Sequence, residues 1–454
     1  MRWGKYAAIA AAAVLLSACG GTSAGSGTQV AQANQGLPII GKTVKYDPNK
    51  LVNDGKPVDL ELWTWGSQKT FQALVDDYRK IHPNVSVKVV LQPWEDYWTR
   101  LPLELNSGRG PALFNVHNSY HDNIVKRLEP YDIPVADLAA DYRGVEAHVV
   151  DGKVPYIDYG LMTGLIFYNK DMWAAAGLTD ADIPKTWDEF TKVAQRLTKR
   201  EGDSFTQAGF SFNGAGSNFT LGLPYQLGHN LMKPDLKAPD IDNPATLAVV
   251  QRFRDLYDVA KVGSKDFGQS ADESFGQGQV AMVYNWGHFQ SSLQENYPGI
   301  KFGTFRTPTP DAGTPYAFDR YNGESTLGIN AGASPEQKAV AQDLVRFSLT
   351  NTAFLKEMSL GLGVVPLYAP LADDPEVKAN PVVAAVGDLS RYVWPGPMPS
   401  TFEKSIDTMW QEVLYNGVAP QQALATAQAA IVGDLGATGF VSVENKYGFY
   451  KPSP

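Results

Sequence analysis

Residues 58–63 read Val58-Asp59-Leu60-Glu61-Leu62-Trp63, with apolar and polar side chains in alternation, as in a half-buried β-strand. Apolar side chains then recur at helical spacing from Phe71 to Ile81. A β-branched strand follows at residues 85–91, a helical stretch at 94–105 and a short apolar run at 112–116. This order of strand, helix, strand, helix and strand predicts an α/β lobe.

The alternation of strands and helices continues beyond residue 163. Thr186 and Glu189 fit a capping box at the start of a helix that is expected to run to about Lys199. Further strands are expected at residues 164–168, 207–212, 280–284 and 302–305, and further helices at 245–260, 334–349, 402–415 and 420–435. A second α/β lobe accounts for these elements, and no internal repeat indicates a solenoid or a propeller.

Length and composition limit the class of protein. The chain has 454 residues, of which 44% are hydrophobic, and this is enough for two or three domains with substantial cores. It carries 39 basic and 48 acidic side chains, a formal net charge of −9. Because nucleic-acid binding depends on clustered Lys and Arg, which the sequence lacks, we expect no nucleic-acid partner.

The first 36 residues have the features of an export signal and a tether. Arg2 and Lys5 precede an apolar run that is too short for a permanent membrane helix, as in a secretory signal covering residues 1–18. Leu16-Ser17-Ala18-Cys19 resembles the bacterial lipoprotein box, which implies that Cys19 carries a lipid and becomes the first mature residue. Residues 20–36 are rich in Gly, Ser, Thr, Ala and Gln and are expected to form a flexible tether. The body is therefore expected outside the cytoplasm, held to the membrane by lipid.

No enzymatic, metal or cofactor motif is complete. His117 and His121 have the spacing of a metalloprotease pair but lack the Glu between them, and the segment Gly323–Leu327 lacks the second glycine of a nucleophile elbow. There is no phosphate-binding glycine loop, and Cys19 is the only cysteine, so an internal disulfide and a thiol nucleophile are excluded. Neighbouring acids such as Asp76 and Asp77 fit a solvated helix face better than a pair of glycosidase carboxylates. We therefore expect no catalytic residues, no metal and no cofactor.

Aromatic and amide side chains cluster just beyond three strand ends, where ligands bind in open α/β sheets. The first group follows residue 63, the second follows residue 116 and the third follows residue 284. Their candidate ligand contacts are Trp65, Ser67, Gln68, Asn118, Tyr120, Trp286 and His288. Flat aromatic faces suit the C–H faces of sugar rings, and polar side chains suit their hydroxyls. The alternative is that the tryptophans at 63, 94, 98, 173 and 187 pack in cores, whereas Trp394, like Trp65 and Trp286, lies near a turn and is a candidate contact.

The chain resembles the extracellular solute-binding proteins of bacterial ABC importers, in their sugar-binding, maltose-binding-protein-like branch. The resemblance covers residues 57–435. It rests on the segments 60–65, 82–85, 110–114, 154–156, 167–173, 176–178, 184–190 and 275–282, taken in their order and spacing. The sequence departs from the family pattern at Ala112, where an Asp usually follows the proline.

The resemblance implies an α/β, two-lobed periplasmic-binding-protein fold, with the ligand cleft between the lobes and several hinge crossings. It implies lobe 1 at residues 57–162 and 326–375, and lobe 2 at 163–325 and 376–454, after a lipid-attached linker at 19–56. It adds Thr163, Glu324, Arg391 and Trp394 as contacts near the hinge, with ordinary packing between the lobes as the alternative. The chain itself would perform no chemistry, and its partners would be the permease subunits of an importer.

Several ligand classes remain open at this stage. The leading hypothesis is a monomeric, lipid-anchored receptor for a carbohydrate, and for an oligosaccharide in particular because the candidate aromatic residues are numerous. A polyol or glycerol-phosphate receptor is an alternative, although only Lys69 supplies a cation near the strand-end loops. A secreted glycan-active hydrolase is another, and a zinc-binding receptor is disfavoured because the six histidines are scattered.

Overall fold

The computed structural model describes residues 37–449 with the exception of Thr314. The predicted signal at residues 1–18, the lipidation of Cys19 and the tether at 20–36 lie outside the described residues. No helix in the described part of the chain is long and apolar enough to cross a membrane.

Fourteen strands are assigned among the described residues. They are β1 (Ile39–Ile40), β2 (Val44–Lys45), β3 (Val58–Thr64), β4 (Val85–Leu91), β5 (Leu113–His117), β6 (Leu128–Glu129), β7 (Asp158–Asn169), β8 (Lys199–Glu201), β9 (Ser204–Gln207), β10 (Met282–Trp286), β11 (Phe302–Arg306), β12 (Asp319–Asn330), β13 (Val365–Pro366) and β14 (Tyr392–Val393).

The α-helices assigned in the same residues number sixteen, and short 3₁₀ turns lie between them. The helices are α1 (Gln68–Ile81), α2 (Trp94–Ser107), α3 (His121–Ile124), α4 (Val135–Asp141), α5 (Lys170–Ala175), α6 (Trp187–Leu197), α7 (Ala215–Gly222), α8 (Pro244–Asp258), α9 (Ala271–Gly276), α10 (Phe289–Asn296), α11 (Pro335–Thr350), α12 (Thr352–Leu362), α13 (Pro375–Ala379), α14 (Pro381–Val386), α15 (Thr401–Leu414) and α16 (Pro420–Thr438).

The helix starts follow from local capping chemistry. Thr186 Oγ1 accepts a hydrogen bond from the Glu189 amide at 3.2 Å, and Glu189 Oε2 accepts one from the Thr186 amide at 3.2 Å. Ser334 and Gln337 form the same capping box at α11. Each box satisfies amide groups that a helix leaves unpaired at its first turn. The predicted starts of both helices are confirmed.

The main sheet is mixed, and its central order is β10-β7-β12-β5-β3-β4. β3 lies parallel to β4 and β5, as the strand–helix–strand pattern predicts. The two twelve-residue strands β7 and β12 run antiparallel and pair between Tyr321 and Thr163 and on to Ser325 and Asp158. Beyond this shared segment β12 pairs with β5, and β7 pairs with β10 and β11. These two strands therefore connect both halves of the molecule.

Two large hydrophobic cores lie on either side of the paired strands. The first draws its side chains from residues 40–159 and 327–371, and the second from residues 166–317 and 393–435. A third, smaller cluster contains side chains of β7 and of residues 367–394. We call the bodies around the first and second cores lobe 1 and lobe 2. The residue limits given for the lobes above stay a prediction.

One predicted strand is wrong in its extent. β9 ends at Gln207, and residues 208–212 continue without a strand ladder. The amides of Gly209 and Phe210 both donate to the carbonyl of Val262, at 2.7 and 3.2 Å, and only Ala208 forms an isolated bridge with Val280. The run is apolar because Phe210 and Phe212 are buried in the second core, so its composition reflected burial and not strand pairing.

Candidate functional site

An aromatic wall lies beyond the carboxyl ends of β3 and β5. Trp65 makes edge contacts with Trp94, at a centroid distance of 5.2 Å, and with Tyr97, at 5.0 Å. Helix α2 supplies both partners, and Trp94 and Trp98 lie four residues apart on one of its faces. We define the aromatic wall as Trp65, Trp94, Trp98, His117 and Tyr120.

The centre of the wall is a parallel pair of rings. Trp98 and Tyr120 stack with centroids 4.1 Å apart and an angle of 1° between their planes. Trp94 contacts both rings edge-on and keeps 37% of its surface exposed. Trp98 Nε1 is buried and has no hydrogen-bond partner among the described residues. The pair is held from several sides, and the exposed ring of Trp94 gives the wall a flat apolar face toward solvent.

The loop after β3 is held by a hydrogen bond between neighbouring residues. Thr64 Oγ1 accepts a hydrogen bond from the Gly66 amide at 3.2 Å. Ser67, which precedes α1, has a positive φ of 50°, a conformation that non-glycine residues rarely adopt. Ser67 is half-buried and Gln68 is exposed. The loop therefore presents Trp65, Ser67 and Gln68 in a defined arrangement.

A row of polar side chains lies on one face of β12. Side chains alternate between the two faces of a strand, and Arg320, Asn322 and Glu324 are half-buried where their neighbours are buried. Asn322 Nδ2 donates to His117 Nε2 at 2.8 Å and so joins this polar row to the aromatic wall. Arg320 lies at the other end of the row, with its Cζ 5.0 Å from the centroid of Trp286.

The loop after β10 faces the same region from lobe 2. Trp286 pairs with Gly164 at the end of β10, and Arg320 lies over its ring. His288 is exposed, and the surrounding protein atoms lower its pKa through partial desolvation. Its charged form would also lower the pKa of His117, which places the two histidines near each other. The structure thus brings His288 near His117 of the aromatic wall and Trp286 to Arg320 of the polar row.

The electrostatics leave the polar row with few charges at neutral pH. Burial lowers the pKa of His117 to about 4, helped by Arg320 and opposed by Asp158. Burial, followed by the neighbouring Asp158, raises the pKa of Glu324 to about 8. His117 is therefore neutral and Glu324 protonated near pH 7, and Glu324 then both donates and accepts hydrogen bonds.

Three other predicted contacts lie in or behind packed regions. Asn118 is buried, and its Oδ1 accepts from Tyr156 at 3.4 Å while its Nδ2 has no partner among the described residues. Thr163 is buried and donates to the carbonyl of Arg320 at 2.7 Å, so it supports the polar row from behind. Arg391 donates to the carbonyl of Pro315 at 2.6 Å and lies over a phenylalanine ring.

The expectation that Trp394 avoids a core is wrong. Its side chain is 3% exposed and belongs to the third hydrophobic cluster. The C-terminal segment covers it: the Asn445 amide donates to the Trp394 carbonyl at 3.0 Å, and Gly448 lies against its Cβ. The prediction was based on the nearby turn, but a segment some 50 residues further along the chain packs over that turn and buries Trp394.

Sequence reasoning missed Trp94, Trp98, Arg320 and Asn322 as members of the site. The spacing of the two tryptophans on α2 fits a core face equally well, although the start of α2 just after β4 was a usable signal. Arg320 and Asn322 alternate with buried residues in a strand, which is a local signal. The position of Asn322 beside His117 depends on the pairing of β12 with β5, between residues some 200 apart, and no local pattern shows that pairing.

The family model described as bacterial extracellular solute-binding protein matches residues 64–353. The chain is 22% identical over 334 residues to the maltotriose-binding protein of Pyrococcus abyssi, covering 72% of this chain and 69% of the relative. It is 23% identical over 410 residues to the arabinooligosaccharide-binding protein of Bacillus subtilis, covering 82% and 90%.

Among solved structures, the chain is similar to the maltose/maltodextrin-binding domain MalE from Bdellovibrio bacteriovorus bound to maltotriose. The TM-score is 0.71 at 20% identity, and the match covers 83% of this chain and all of the other. At this identity the likeness shows the fold alone.

Proposed function

The chain belongs to the bacterial extracellular solute-binding protein family and has its two-lobed fold, and from this premise we propose that it binds an oligosaccharide for an ABC importer. The ligand would enter the cleft between the lobes and be delivered to a membrane permease. The observation that carries this proposal is the aromatic wall of lobe 1 in contact with the polar row on β12, opposite Trp286.

The chemistry of the two surfaces supports a sugar ligand. A pyranose ring has an apolar C–H face and a rim of hydroxyls, so it suits a flat aromatic surface bordered by hydrogen-bonding groups. Trp65 and Trp94 supply the aromatic surface, while Asn322, Glu324 and His288 supply hydrogen-bonding groups. A buried hydrogen-bonding group discriminates strongly against ligands that lack the matching hydroxyl.

The number of aromatic rings supports more than one sugar unit. Lobe 1 contributes four aromatic rings besides His117 and Tyr97, and lobe 2 contributes Trp286. A single pyranose stacks on one or two rings, so rings in both lobes favour a longer ligand. The names of the relatives point the same way, because those of two reported above refer to binding of oligosaccharides.

A binding role explains the surroundings of the acids better than hydrolysis does. A glycoside hydrolase needs two carboxyl groups on either side of the scissile bond. Asp158 is the acid whose charge acts on Glu324, but it is 5% exposed and bonded to His148 at 3.0 Å and Ser325 at 2.8 Å. Asp158 is thus engaged within the protein and is not free to act as the second carboxyl group, and we propose that the chain is not an enzyme.

The N-terminal features complete the proposal. The predicted signal, the lipid on Cys19 and the tether at 20–36 would hold a monomeric receptor at the outer face of the cell membrane. Ligand contacts from both lobes would stabilise the closed form, because only a ligand with higher affinity for that form shifts the equilibrium.

A thermal-shift screen of the purified protein against mono- and oligosaccharides tests the function. A ligand present at about 100 times its dissociation constant stabilises the folded state by about 2.7 kcal/mol, which shifts the unfolding midpoint measurably. A saccharide that raises the midpoint and is recovered intact by chromatography supports the receptor. Cleavage of the saccharide would favour the hydrolase instead, and no shift with any saccharide would contradict the proposal.

A further inference from the structure

The guanidinium of Arg320 is held in place by its neighbours, but one of its N–H donors lacks a hydrogen-bond acceptor among the described residues. Its NH2 group donates to Asn218 Oδ1 at 2.9 Å, and its Cζ lies 5.0 Å from the centroid of Trp286. Its Nε is buried and has no hydrogen-bond partner within the described residues. A buried donor of a charged group without a partner is rare in folded proteins, because it loses its water without replacement.

No carboxylate lies within 4.0 Å of this guanidinium in the part of the chain that the structure describes. Two other half-buried arginines are paired, Arg252 with Asp188 at 2.9 Å and Arg346 with Asp132. The adjacent Asp319 accepts from the backbone amide of Arg320 at 2.7 Å and is fully buried on the opposite face of β12. Arg320 is thus a positioned cation with no carboxylate in direct contact among the described residues, and the charge of Asp319 acts on it only from the opposite face of the strand.

The groups around Arg320 offer little competing negative charge. Glu324 is in the same row, and its raised pKa of about 8 keeps it neutral near pH 7. His117 and His288 supply no negative charge in either protonation state, and burial lowers the pKa of His117 to about 4, so it is neutral near pH 7. Asp158 is the nearest described acid that acts on His117, and it is turned away into contacts with His148 and Ser325.

We propose, on the basis of the function given above, that the ligand is an acidic saccharide whose oxyanion binds Arg320 beside Trp286. A guanidinium binds a carboxylate or a phosphate through two parallel hydrogen bonds, and stacking on Trp286 fixes the plane in which those bonds are made. The oxyanion is the carboxylate of a uronic acid or the phosphate of a sugar or polyol phosphate. The aromatic wall then holds the remaining sugar units.

Thermal-shift and calorimetric titrations of the purified protein with matched pools test this inference. The acidic pools are oligogalacturonides and glucuronic-acid-bearing xylo-oligosaccharides, and the neutral pools are galacto- and xylo-oligosaccharides of the same length. Glucose 6-phosphate and sn-glycerol 3-phosphate separate a phosphate from a carboxylate. We expect an acidic compound to bind more tightly than its neutral counterpart, with an affinity that falls as NaCl rises from about 50 to about 500 mM.

Three variants test whether Arg320 supplies the positive charge that binds the ligand. Arg320→Gln should weaken binding of the acidic ligand at least about 30-fold more than binding of its neutral counterpart, and it should remove most of the salt dependence. Arg320→Lys keeps the charge and should retain part of the preference. The matched control is Arg200→Gln, since Arg200 also lies over an aromatic ring, that of Phe205 at 3.9 Å, but on the exposed β8–β9 hairpin.

The remaining outcomes would each overturn the inference. Binding of neutral pools alone would overturn the inference and leave the oligosaccharide function standing, as would equal weakening of both members of a pair by Arg320→Gln. If that variant does not fold, a wild-type affinity for the acidic ligand that does not change with salt overturns the inference by itself. No binding of any pool would contradict both proposals.

Discussion

Asn322 Nδ2 lies 2.8 Å from His117 Nε2, although the two residues are 205 positions apart in the sequence. The contact joins the polar row of β12 to the aromatic wall at the end of β5. It requires His117 to accept a hydrogen bond and therefore to be neutral, which agrees with its lowered pKa. Through this contact the strand that connects the lobes also forms the floor of the candidate site.

Removing a ring from the wall should reduce affinity far more than stability. In Trp94→Ala the exposed apolar face of the wall is lost, and we expect the affinity for the saccharide found in the screen to fall by about tenfold or more. Calorimetric titration gives the affinity. Trp173→Phe is the matched control, because Trp173 is buried in lobe 2, donates to the Thr179 carbonyl and has no contact with the wall. It should lower the unfolding midpoint without changing affinity, and a similar loss of affinity in both variants would contradict the assignment.

The raised pKa of Glu324 predicts a pH dependence with a definite sign. An acid whose pKa rises from 4.5 in the unfolded chain to about 8 in the folded protein stabilises the fold below pH about 4.5, and this contribution is lost as the pH rises through about 8. His117 has the opposite sign but titrates below pH about 6.5. Between pH about 6.5 and about 9, therefore, the wild type should lose stability relative to Glu324→Gln.

Urea unfolding of both proteins across this range measures the difference. The buried Asp319, whose pKa is raised to about 7, contributes equally to wild type and variant and cancels in the comparison. A difference in unfolding free energy that stays constant with pH would show that Glu324 is ionised in the folded protein.

Contacts between α10, whose buried side chains belong to the third cluster, and the end of α12 of lobe 1 should favour the closed form. The side chains of Gln290 and Ser291 donate to carbonyls at Leu360 and Gly361, and Lys69 Nζ lies 2.8 Å from Glu295 Oε1. Losing about 1 kcal/mol of such contacts shifts the population toward the open form and weakens binding about fivefold. We expect this for Gln290→Ala with Ser291→Ala, together with a larger radius of gyration in solution scattering. Arg254→Ala, which breaks an ion pair within α8, should do neither.

The lipid anchor is tested by the location of the protein in cells. Cys19→Ala removes the only cysteine and hence the acylation that the lipoprotein box predicts. We expect the variant to be exported but recovered in the soluble fraction, whereas the wild type stays with membranes. Membrane association of the variant would contradict the predicted anchor.

The sequence allowed the α/β order and the helix caps to be predicted, because each depends on neighbouring residues, whereas ligand contact by the three strand-end loops stays a prediction. The apolar run at residues 207–212 led to a wrong strand prediction, because burial in a core and pairing in a sheet favour the same apolar residues. Trp94 and Trp98 have a spacing that fits a core and a cleft alike. The position of Arg320 beside Trp286 depends on the register of β12 against β7 and β5, and the burial of Trp394 depends on the C-terminal segment. Both are long-range effects that no window of sequence contains.

The most direct test of the central claim is a titration of intrinsic tryptophan fluorescence with the saccharide that shifts the midpoint most. Trp65, Trp94, Trp98 and Trp286 all line the proposed site, so a bound ligand must change their surroundings. We predict a saturable change in emission whose dissociation constant matches calorimetry and whose amplitude falls in Trp94→Phe. Calorimetric binding with unchanged emission would place the ligand elsewhere and contradict the account.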